Sequence, residues 1–276
     1  MPPCDAPQND CKTHFASTPQ TRFIVMNPYE TEKLLGEYLL FHYGSPEEVL
    51  PWRDGPHGAL DFAVRCVTQC VDVPALPPNS RALDAGCAVG RSTFELARHC
   101  AGVFGIDYSR RFIEVARTLA RDGSFPYLRT DEGAITTSLV ARIPQDVPRG
   151  RVQFEHGDAH ALRESLGAFD VVLGANLIDR LAQPRRFLAQ LSRLVKPGGQ
   201  LVLTSPCTWL EEFTSPEFWM GGYVENGEPR TTLAGLEAAL AKDFTLQATK
   251  DLPFLIREHA RKYQWSVAQA SIWRRK

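Results

Sequence analysis

The residues best suited to bind a small molecule lie in the segment LDAGCAVGR at 83–91, where a short apolar run gives way to a helical pattern. Gly86 and Gly90 let the backbone approach a ligand closely, because glycine has no Cβ. Open α/β sheets bind small molecules at the carboxyl ends of their strands, where this segment would lie. Its G-x-x-x-G spacing lacks glycine at 88 and 91, which disfavours a pyrophosphate loop. The segment therefore indicates a nucleotide-like ligand rather than a dinucleotide.

Further polar residues follow later apolar runs. Asp107 ends the run GVFGID, and a carboxylate there can accept hydrogen bonds from both hydroxyls of a ribose. Asp158 and Ala159 offer an acid and a backbone amide suited to an adenine edge, and Asn176 follows the next run. The alternative role for Asp107 is a helix N-cap, since a helical pattern begins just after it.

The strands and helices that must position these residues begin at Arg81, where short apolar runs start to alternate with segments of helical periodicity. That alternation is typical of strands and crossover helices stacked on a parallel sheet. The predicted strands are 82–84, 102–106, 152–155, 170–174 and 200–204, and the predicted helices between them are 91–100, 110–121 and 184–195. A helix near 232–242 and an antiparallel strand pair at 244–249 and 265–273 are predicted to close the fold.

Several segments fall outside this repeating pattern. Helical periodicity at 31–43 and 61–71 predicts helices that precede the sheet. Alternating residues around Asp131-Glu132-Gly133 predict a β-hairpin. A long aromatic and glycine-rich loop precedes the last helix, and loops of that length are usually functional. The predicted organisation is a disordered leader at 1–26 and a single domain at 27–276, with an N-terminal helical lid at 27–78, a hairpin insertion at 124–150 and a substrate loop at 206–230.

Composition narrows the classes of partner. The chain has 31 Lys+Arg against 32 Asp+Glu, which disfavours nucleic acid because phosphate binding usually needs a basic excess. It has no apolar stretch long enough to span a membrane and no secretory signal pattern, so we expect a cytoplasmic protein without a membrane partner. Seven cysteines are too sparse for a disulfide framework. Cys66 and Cys70 fit a buried helix face better than a metal pair.

Taken in order, the motifs D-x-G-C-x-x-G, G-I-D, G-D-A, F-D-V-V-x-x-x-N and V-K-P-G-G-x-L resemble those of the class I S-adenosylmethionine-dependent methyltransferases. The resemblance implies an α/β Rossmann-like fold with a mostly parallel seven-stranded sheet and a C-terminal antiparallel strand. It implies S-adenosylmethionine as cofactor, S-adenosylhomocysteine as product and no metal. The cofactor-binding residues that it implies are Asp84, Gly86, Cys87, Gly90, Asp107, Tyr108, Asp158, Ala159 and Asn176.

The flanking segments narrow this resemblance. YETEKLLGEYLLFHYG at 29–44, NLIDRL at 176–181, TWLEEF at 208–213 and PFLIREH at 253–259 look like the C-terminal methyltransferase domain of the bifunctional ovothiol-synthesis enzyme. The resemblance covers nearly everything after residue 27. It implies N-methylation of the imidazole of 5-thiohistidine (4-mercaptohistidine), giving ovothiol A. The iron-dependent sulfoxide synthase half is missing, so we expect a standalone final-step enzyme supplied with thiohistidine by a separate sulfoxide synthase.

The chemistry of that reaction suggests further residues. Methyl transfer from a sulfonium is an in-line displacement, so the enzyme mainly aligns the reactants and excludes water. A thiolate beside an imidazole favours the protonated ring, so some group must hold or remove a ring proton before attack. The predicted catalytic residues are His42 and Glu212, and the predicted substrate-binding residues are Tyr29, Tyr43, Asp179, Arg180, Trp209, Glu211 and Arg257.

Alternatives stay open for these residues and for the function. His42 fits a helix-end histidine equally well, the glutamates fit a solvated surface, and Arg257 fits a surface arginine among charged neighbours. The acceptor could instead be histidine, an amine or a thiol. The chain could also be a regulatory protein that binds S-adenosylmethionine without turnover. The proton acceptor, the ring nitrogen methylated and the oligomeric state do not follow from the sequence.

Overall fold

Strands and helices alternate along residues 28–276, the part of the chain that this computed structural model describes. The leader predicted at 1–26 lies outside the described residues. The strands are Arg81–Ala85 (β1), Gly102–Asp107 (β2), Ser124–Glu132 (β3), Ile135–Arg142 (β4), Val152–His156 (β5), Phe169–Ala175 (β6), Val195–Ser205 (β7), Tyr223–Glu225 (β8), Glu228–Arg230 (β9), Phe244–His259 (β10) and Lys262–Arg275 (β11). The α-helices are Glu32–Tyr43 (α1), Pro46–Val49 (α2), Phe62–Thr68 (α3), Arg91–Leu96 (α4), Arg110–Asp122 (α5), Pro184–Leu188 (α6), Leu191–Leu194 (α7) and Thr232–Leu240 (α8).

Seven strands form one sheet in the order β10-β11-β7-β6-β1-β2-β5. The five strands from β7 to β5 run parallel, whereas β11 is antiparallel to β7 and β10 is antiparallel to β11. Because helices cover both faces of a parallel sheet, its central strands are apolar throughout, and β6 is buried along nearly its whole length. The predicted fold class is confirmed. The carboxyl ends of β1, β2, β5 and β6 meet at one edge, where the functional residues were expected.

Local signals explain how α5 forms behind this edge. The Ser109 side chain accepts a hydrogen bond from the Phe112 N–H at the start of the helix, and Gly123 ends it in the left-handed conformation with φ 80°. The apolar face of the helix is buried against the sheet. Ser109 is therefore the N-cap of α5, and the N-cap role considered for Asp107 is not needed.

The N-terminal helix α1 lies over the sheet edge and packs against the hairpin of β3 and β4. The Thr31 side chain caps it by accepting from the Leu34 N–H, and Leu35 and Leu39 are buried beneath it. Gly36 permits the contact with the hairpin, because a Cβ at this position would collide with the Leu128 backbone oxygen. The predicted hairpin is thus present, and its backbone supports the helix that covers the sheet edge.

The largest departures from the predicted elements come from long-range packing. The helix predicted at 184–195 is divided into α6 and α7. β10 and β11 extend well beyond 244–249 and 265–273, because the two strands stay paired with each other and the far end of β10 packs against α1 and β3. The loop predicted at 206–230 includes the short β8–β9 hairpin.

Two further expectations concern the burial of two cysteines and the absence of a membrane-spanning helix. Cys66 and Cys70 are buried as free thiols, as predicted for a core helix face. None of the helices among residues 28–276 is long and apolar enough to cross a membrane.

Candidate active site

A cavity of about 550 Å³ opens at the carboxyl ends of β1, β2, β5 and β6. This volume is within the range typical of small-molecule sites. The turns after these strands form one wall, α1 contributes a second, and the loop after β7 closes the cavity with Glu212 and Phe213. The sequence-predicted residues that line it are Tyr29, His42, Asp84, Gly86, Cys87, Asp107, Tyr108, Asp158, Ala159, Asn176, Arg180 and Glu212.

The glycine turn has the backbone geometry that its residues predict. Gly86 has φ 73°, and a Cβ there would lie 2.8 Å from Leu177 Cδ1. Gly90 has φ 87°, and a Cβ there would lie 2.6 Å from the Phe154 ring. Gly90 does not line the cavity; it lets α4 start close to Phe154, so its effect on the cofactor would be indirect. Ala88 occupies a left-handed conformation, with φ 47°, that favours glycine.

Asp107 ties the ends of β1 and β2 together. Its Oδ2 accepts from the Ala88 N–H at 2.8 Å, and its Oδ1 accepts from the Ser109 N–H at 2.8 Å. Burial raises the pKa of this carboxyl, and the two backbone hydrogen bonds oppose that rise. An ionised carboxylate offers about four lone-pair positions, so both oxygens keep room for a ribose hydroxyl. The structure thus holds the acid rigidly and leaves it able to bind.

Asp84 is a second acid at the cavity wall and is almost fully buried. It accepts a hydrogen bond from Thr93 Oγ1 at 2.7 Å. Burial raises its pKa to about 7, and the Thr93 hydrogen bond opposes that rise. Asp84 therefore changes charge near neutral pH, which makes it responsive to the charge of a ligand.

The turn after β5 contributes an acid and a histidine. Asp158 Oδ1 pairs with His160 Nδ1 at 2.6 Å, and His160 Nε2 accepts from the Gln183 N–H at 3.1 Å. Both ring nitrogens of His160 are therefore engaged within the fold. His160 lines the cavity and was missed in the sequence, but its contacts mark it as a support for Asp158.

His42 is the other histidine of the cavity wall, and its situation is different. It lies in the last turn of α1 among Tyr38, Phe41 and Tyr43. Its Nδ1 is inaccessible to solvent and has no hydrogen-bond partner in the described part of the chain. Burial lowers its pKa to about 3, with a smaller contribution from the positive charge of Arg91. His42 is therefore a neutral imidazole with an uncommitted nitrogen.

Two predicted substrate-binding residues instead stabilise the walls. The Tyr43 hydroxyl donates to the Val89 carbonyl at 2.7 Å, so this half-buried side chain links α1 to the glycine turn. Trp209 is buried, and its Nε1 donates to Thr232 Oγ1 at 2.9 Å. Neither side chain lines the cavity, because each is committed to a partner in the fold. The prediction that Tyr43 and Trp209 contact the substrate directly is therefore corrected.

Two acidic residues of the predicted substrate group also lie outside the lining. Glu211 is exposed and does not reach the cavity, unlike its neighbour Glu212. Asp179 is fully buried, and its Oδ2 accepts from Arg180 Nη1 at 3.0 Å. Asp179 therefore acts on the cavity only through Arg180, which does line it.

Arg257 is a structural arginine rather than a substrate ligand. Its guanidinium is 4% exposed, donates to the Glu48 carbonyl at 2.8 Å and reaches Asp131 at 3.1 Å. These contacts join β10 to the hairpin and to the end of α2. The predicted role in substrate binding is corrected accordingly.

Replacing Arg257 with methionine is expected to lower the free energy of unfolding by about 2 kcal/mol, because two hydrogen bonds of a buried charged group are lost. The Michaelis constants of the folded variant should match those of the wild type. Denaturant unfolding together with steady-state kinetics tests both expectations, and Arg261→Met, at an exposed position, is the matched control. A raised Michaelis constant for the acceptor with unchanged stability would restore the ligand role.

Several aromatic residues of the cavity escaped the sequence analysis. Phe62 and Phe112 come from α3 and α5, and Phe213 comes from the loop after β7. Their apolar spacing looked like ordinary core packing, so nothing local distinguished them. Tyr38 had a usable signal, because it shares a helical face with His42 four residues later. No cluster of three or more His, Cys, Asp or Glu side chains suited to a metal ion occurs within residues 28–276.

Comparison with known proteins gives two matching family models, each described as a methyltransferase domain, at residues 83–203 and 145–271. The 2-methyl-6-phytyl-1,4-hydroquinone methyltransferase of Synechocystis is 30% identical over 65% of this chain and 50% of its own length. A ubiquinone biosynthesis O-methyltransferase of Maricaulis maris is 30% identical over 54% of this chain and 51% of its own length. A TehB-like S-adenosylmethionine-dependent methyltransferase structure from Corynebacterium glutamicum has a TM-score of 0.45 at 19% identity, covering 78% of this chain and 88% of that chain.

The family models and the sheet order support the same conclusion. The matched part of the chain has an α/β Rossmann-like methyltransferase fold, for which S-adenosylmethionine is the cofactor. The chain spans about half the length of the curated relatives that it matches. Their names describe methyl transfer to their own acceptors, so the acceptor of this chain has to be argued from its own cavity.

Proposed function

We propose that this protein transfers the methyl group of S-adenosylmethionine to an imidazole nitrogen of 5-thiohistidine, the last step in the formation of ovothiol A. The proposal proceeds from the methyltransferase domain and from the closer sequence resemblance described above. The observation that carries it is the neutral His42, which lines the same cavity as Asp107 and has no hydrogen-bond partner for its Nδ1 in the described part of the chain. An imidazole acceptor that has to present one nitrogen lone pair needs a neutral hydrogen-bond partner to hold its other ring nitrogen.

The nucleoside end of the cavity would hold the cofactor. Asp107 would accept hydrogen bonds from the ribose hydroxyls, and Asp158 with the following backbone would meet the adenine edge. The glycine turn at 86–90 lets the backbone approach the rest of the molecule. When bound, S-adenosylmethionine supplies a methyl group on a positively charged sulfur.

The acceptor end must deliver a nitrogen lone pair. In 5-thiohistidine the thiolate favours the doubly protonated ring, and a protonated nitrogen cannot attack. The His42 ring can accept a hydrogen bond from one ring N–H, because burial keeps the imidazole neutral. The proton on the other ring nitrogen is lost to water as the acceptor enters the open cavity, so that nitrogen presents its lone pair for in-line attack. Aromatic neighbours such as Phe41 keep water away from the transfer itself. Glu212, also at the wall, can balance a positive charge on the acceptor.

Asp84 should make cofactor binding depend on pH. Its pKa of about 7 means that acid protonates it, whereas a cationic ligand favours its ionised form. Affinity for S-adenosylmethionine is therefore expected to fall by about tenfold as the pH is lowered from about 8 to about 6. Calorimetric titrations across this range measure the effect, and Asp84→Asn should remove the dependence. An affinity that stays constant in the wild type would contradict this linkage.

Methyl transfer itself is tested by incubating the protein with S-adenosylmethionine and 5-thiohistidine, with histidine as the competing acceptor. Mass spectrometry should show one added methyl group on 5-thiohistidine, and NMR should place it on a ring nitrogen. Histidine should react far more slowly, because its ring lacks the electron density that a thiolate donates once the ring proton is lost. Equal methylation of both acceptors, or none of thiohistidine, would overturn the proposed substrate.

A second candidate is methylation of a hydroxyl group on a small aromatic acceptor. It is favoured by the relative from Maricaulis maris, which is named as an O-methyltransferase, and by the aromatic wall of Phe62, Phe112 and Phe213. A catechol included in the same assay separates the two, since only this candidate expects an O-methylated product. Binding of S-adenosylhomocysteine without product from any acceptor would instead favour a regulatory protein.

Other parts of the sequence-based picture stay predictions. They are the supply of thiohistidine by a separate sulfoxide synthase, the cytoplasmic location, the lid role of 27–78 and the substrate role of the loop at 206–230. The position of His42 on α1 is the feature that supports the lid, since this helix contributes directly to the cavity wall.

A further inference from the structure

Arg180 is the only arginine or lysine among the described residues that line the cavity. Asp84, Asp107, Asp158 and Glu212 contribute carboxylates to the same walls. An anionic group that entered this cavity would be repelled nearly everywhere and attracted at one place. The charge pattern therefore assigns any bound carboxylate to Arg180.

Arg180 is held by Asp179, by Thr208 and by a hydrogen bond with the Tyr29 side chain. Its Nη1 lies 3.0 Å from Asp179 Oδ2 and 3.0 Å from the Thr208 carbonyl. The guanidinium carbon lies 4.9 Å from the centre of the Phe213 ring, in a cation–π contact. The edge formed by Nε and Nη2 is not engaged by Asp179 or Thr208. The N–H groups of Nε and Nη2 point in the same direction and can donate to the two oxygens of one carboxylate, as the two arms of a fork.

Asp179 determines where this fork points. It is 0% exposed, and its Oδ1 accepts from Ser205 Oγ at 2.9 Å at the end of β7. The carboxylate is thus fixed between two strand ends, and through Nη1 it fixes Arg180. Asp179 is a positioning residue, because it reaches the cavity only through the arginine.

We propose that Arg180, positioned by Asp179, binds the carboxylate of the methyl acceptor, so that the acceptor is a free α-amino acid. This inference rests on the proposed function and names the group by which the same site recognises its substrate. Glu212, next to Phe213 in the chain, supplies the opposite charge for the α-ammonium. Asp179, Thr208 and Phe213, which contact Arg180, lie outside the turns expected to grip the nucleoside, whereas Tyr29, which also hydrogen-bonds to Arg180, lies against Ser109 at the start of α5. The proposal assigns Arg180 to the acceptor's carboxylate rather than the cofactor's, and the affinity for S-adenosylhomocysteine distinguishes the two.

The test compares 5-thiohistidine with its decarboxylated amine as acceptors. Arg180→Met should raise the Michaelis constant for the amino acid by about 10- to 100-fold, the effect of losing hydrogen bonds to a charged group. The constant for the amine should change by less than about threefold, and affinity for S-adenosylhomocysteine should match the wild type. Arg180→Lys keeps the charge without the fork and should give an intermediate value. Asp179→Asn should shift the ratio of the two Michaelis constants in the same direction.

Arg163→Met is the matched control, because Arg163 pairs with Glu155 on the surface away from the cavity. Equal effects of Arg180→Met on both acceptors would overturn the inference, and so would a matching loss of S-adenosylhomocysteine affinity. Binding of histidine and histamine to wild type saturated with S-adenosylhomocysteine supplies a readout that needs no turnover. Tighter binding of histidine, lost in Arg180→Met, supports the subsite even where thiohistidine is not methylated, which would overturn the proposed function alone. No preference for histidine overturns the subsite.

Discussion

Replacing Asp107 with alanine is expected to weaken binding of S-adenosylmethionine by about 10²- to 10⁴-fold. The change removes the acceptor of two ribose hydroxyls, and each hydrogen bond to a charged group contributes about 1.5 to 3 kcal/mol. It also frees the Ala88 and Ser109 amides that the carboxylate now holds at 2.8 Å. The glycine turn and the start of α5 therefore lose a shared anchor. Titration calorimetry with S-adenosylmethionine and S-adenosylhomocysteine measures the loss.

The matched control for this variant is Asp251→Ala, at an exposed position of β10. It removes the same charge and should leave both affinities unchanged. Thermal unfolding separates the binding effect from a folding effect, since an Asp107→Ala protein that still unfolds cooperatively has kept its sheet. If that folded variant bound both ligands like the wild type, the ribose role of Asp107 would be refuted.

Replacing His42 with phenylalanine is expected to lower kcat for 5-thiohistidine by about 10- to 100-fold, because the hydrogen bond that orients the acceptor ring is lost. Phenylalanine preserves the aromatic packing with Tyr38 and Phe41 and removes only the ring nitrogens. Affinity for S-adenosylhomocysteine should therefore stay within about threefold of the wild type, because His42 is assigned to the acceptor. Single-turnover methylation assays measure the rate directly.

His99→Phe is the corresponding control, because His99 follows α4 outside the cavity lining. It should show the wild-type rate. An unchanged rate for His42→Phe would show that another group orients the acceptor ring, with Glu212 next to be tested. A loss of cofactor affinity equal to the loss of rate would show that His42 supports the cavity instead of the chemistry.

The cofactor end of the cavity was predictable from the sequence because its signals are local. Gly86 and Asp107 each stand directly after an apolar run, and strand ends of a parallel sheet meet at one edge whatever their helices do. The same reasoning placed Asp158 and Asn176 in the cavity lining. Hydrophobic periodicity also separated the strands from the helices, since buried strands differ clearly from amphipathic helices.

The acceptor end was less predictable because the partners that decide each role lie far away in the chain. Tyr43 bonds to Val89, 46 residues later, and Arg257 reaches Asp131, 126 residues earlier. A hydrogen-bonding side chain looks the same in a sequence whether its partner is a ligand or a distant carbonyl. Arg180 was identified correctly as a cavity residue, whereas Asp179 beside it points away, because adjacent residues in a short turn point in different directions.

The proposed site and its chemistry depend most directly on whether the cavity binds an adenosyl ligand at all. Titration of the purified wild-type protein with S-adenosylhomocysteine, followed by calorimetry, tests this without any assumption about the acceptor. We expect saturable heat at one ligand per chain, which Asp107→Ala reduces below detection. A folded protein that gives no heat with either S-adenosylhomocysteine or S-adenosylmethionine would contradict the proposed site and the chemistry built on it.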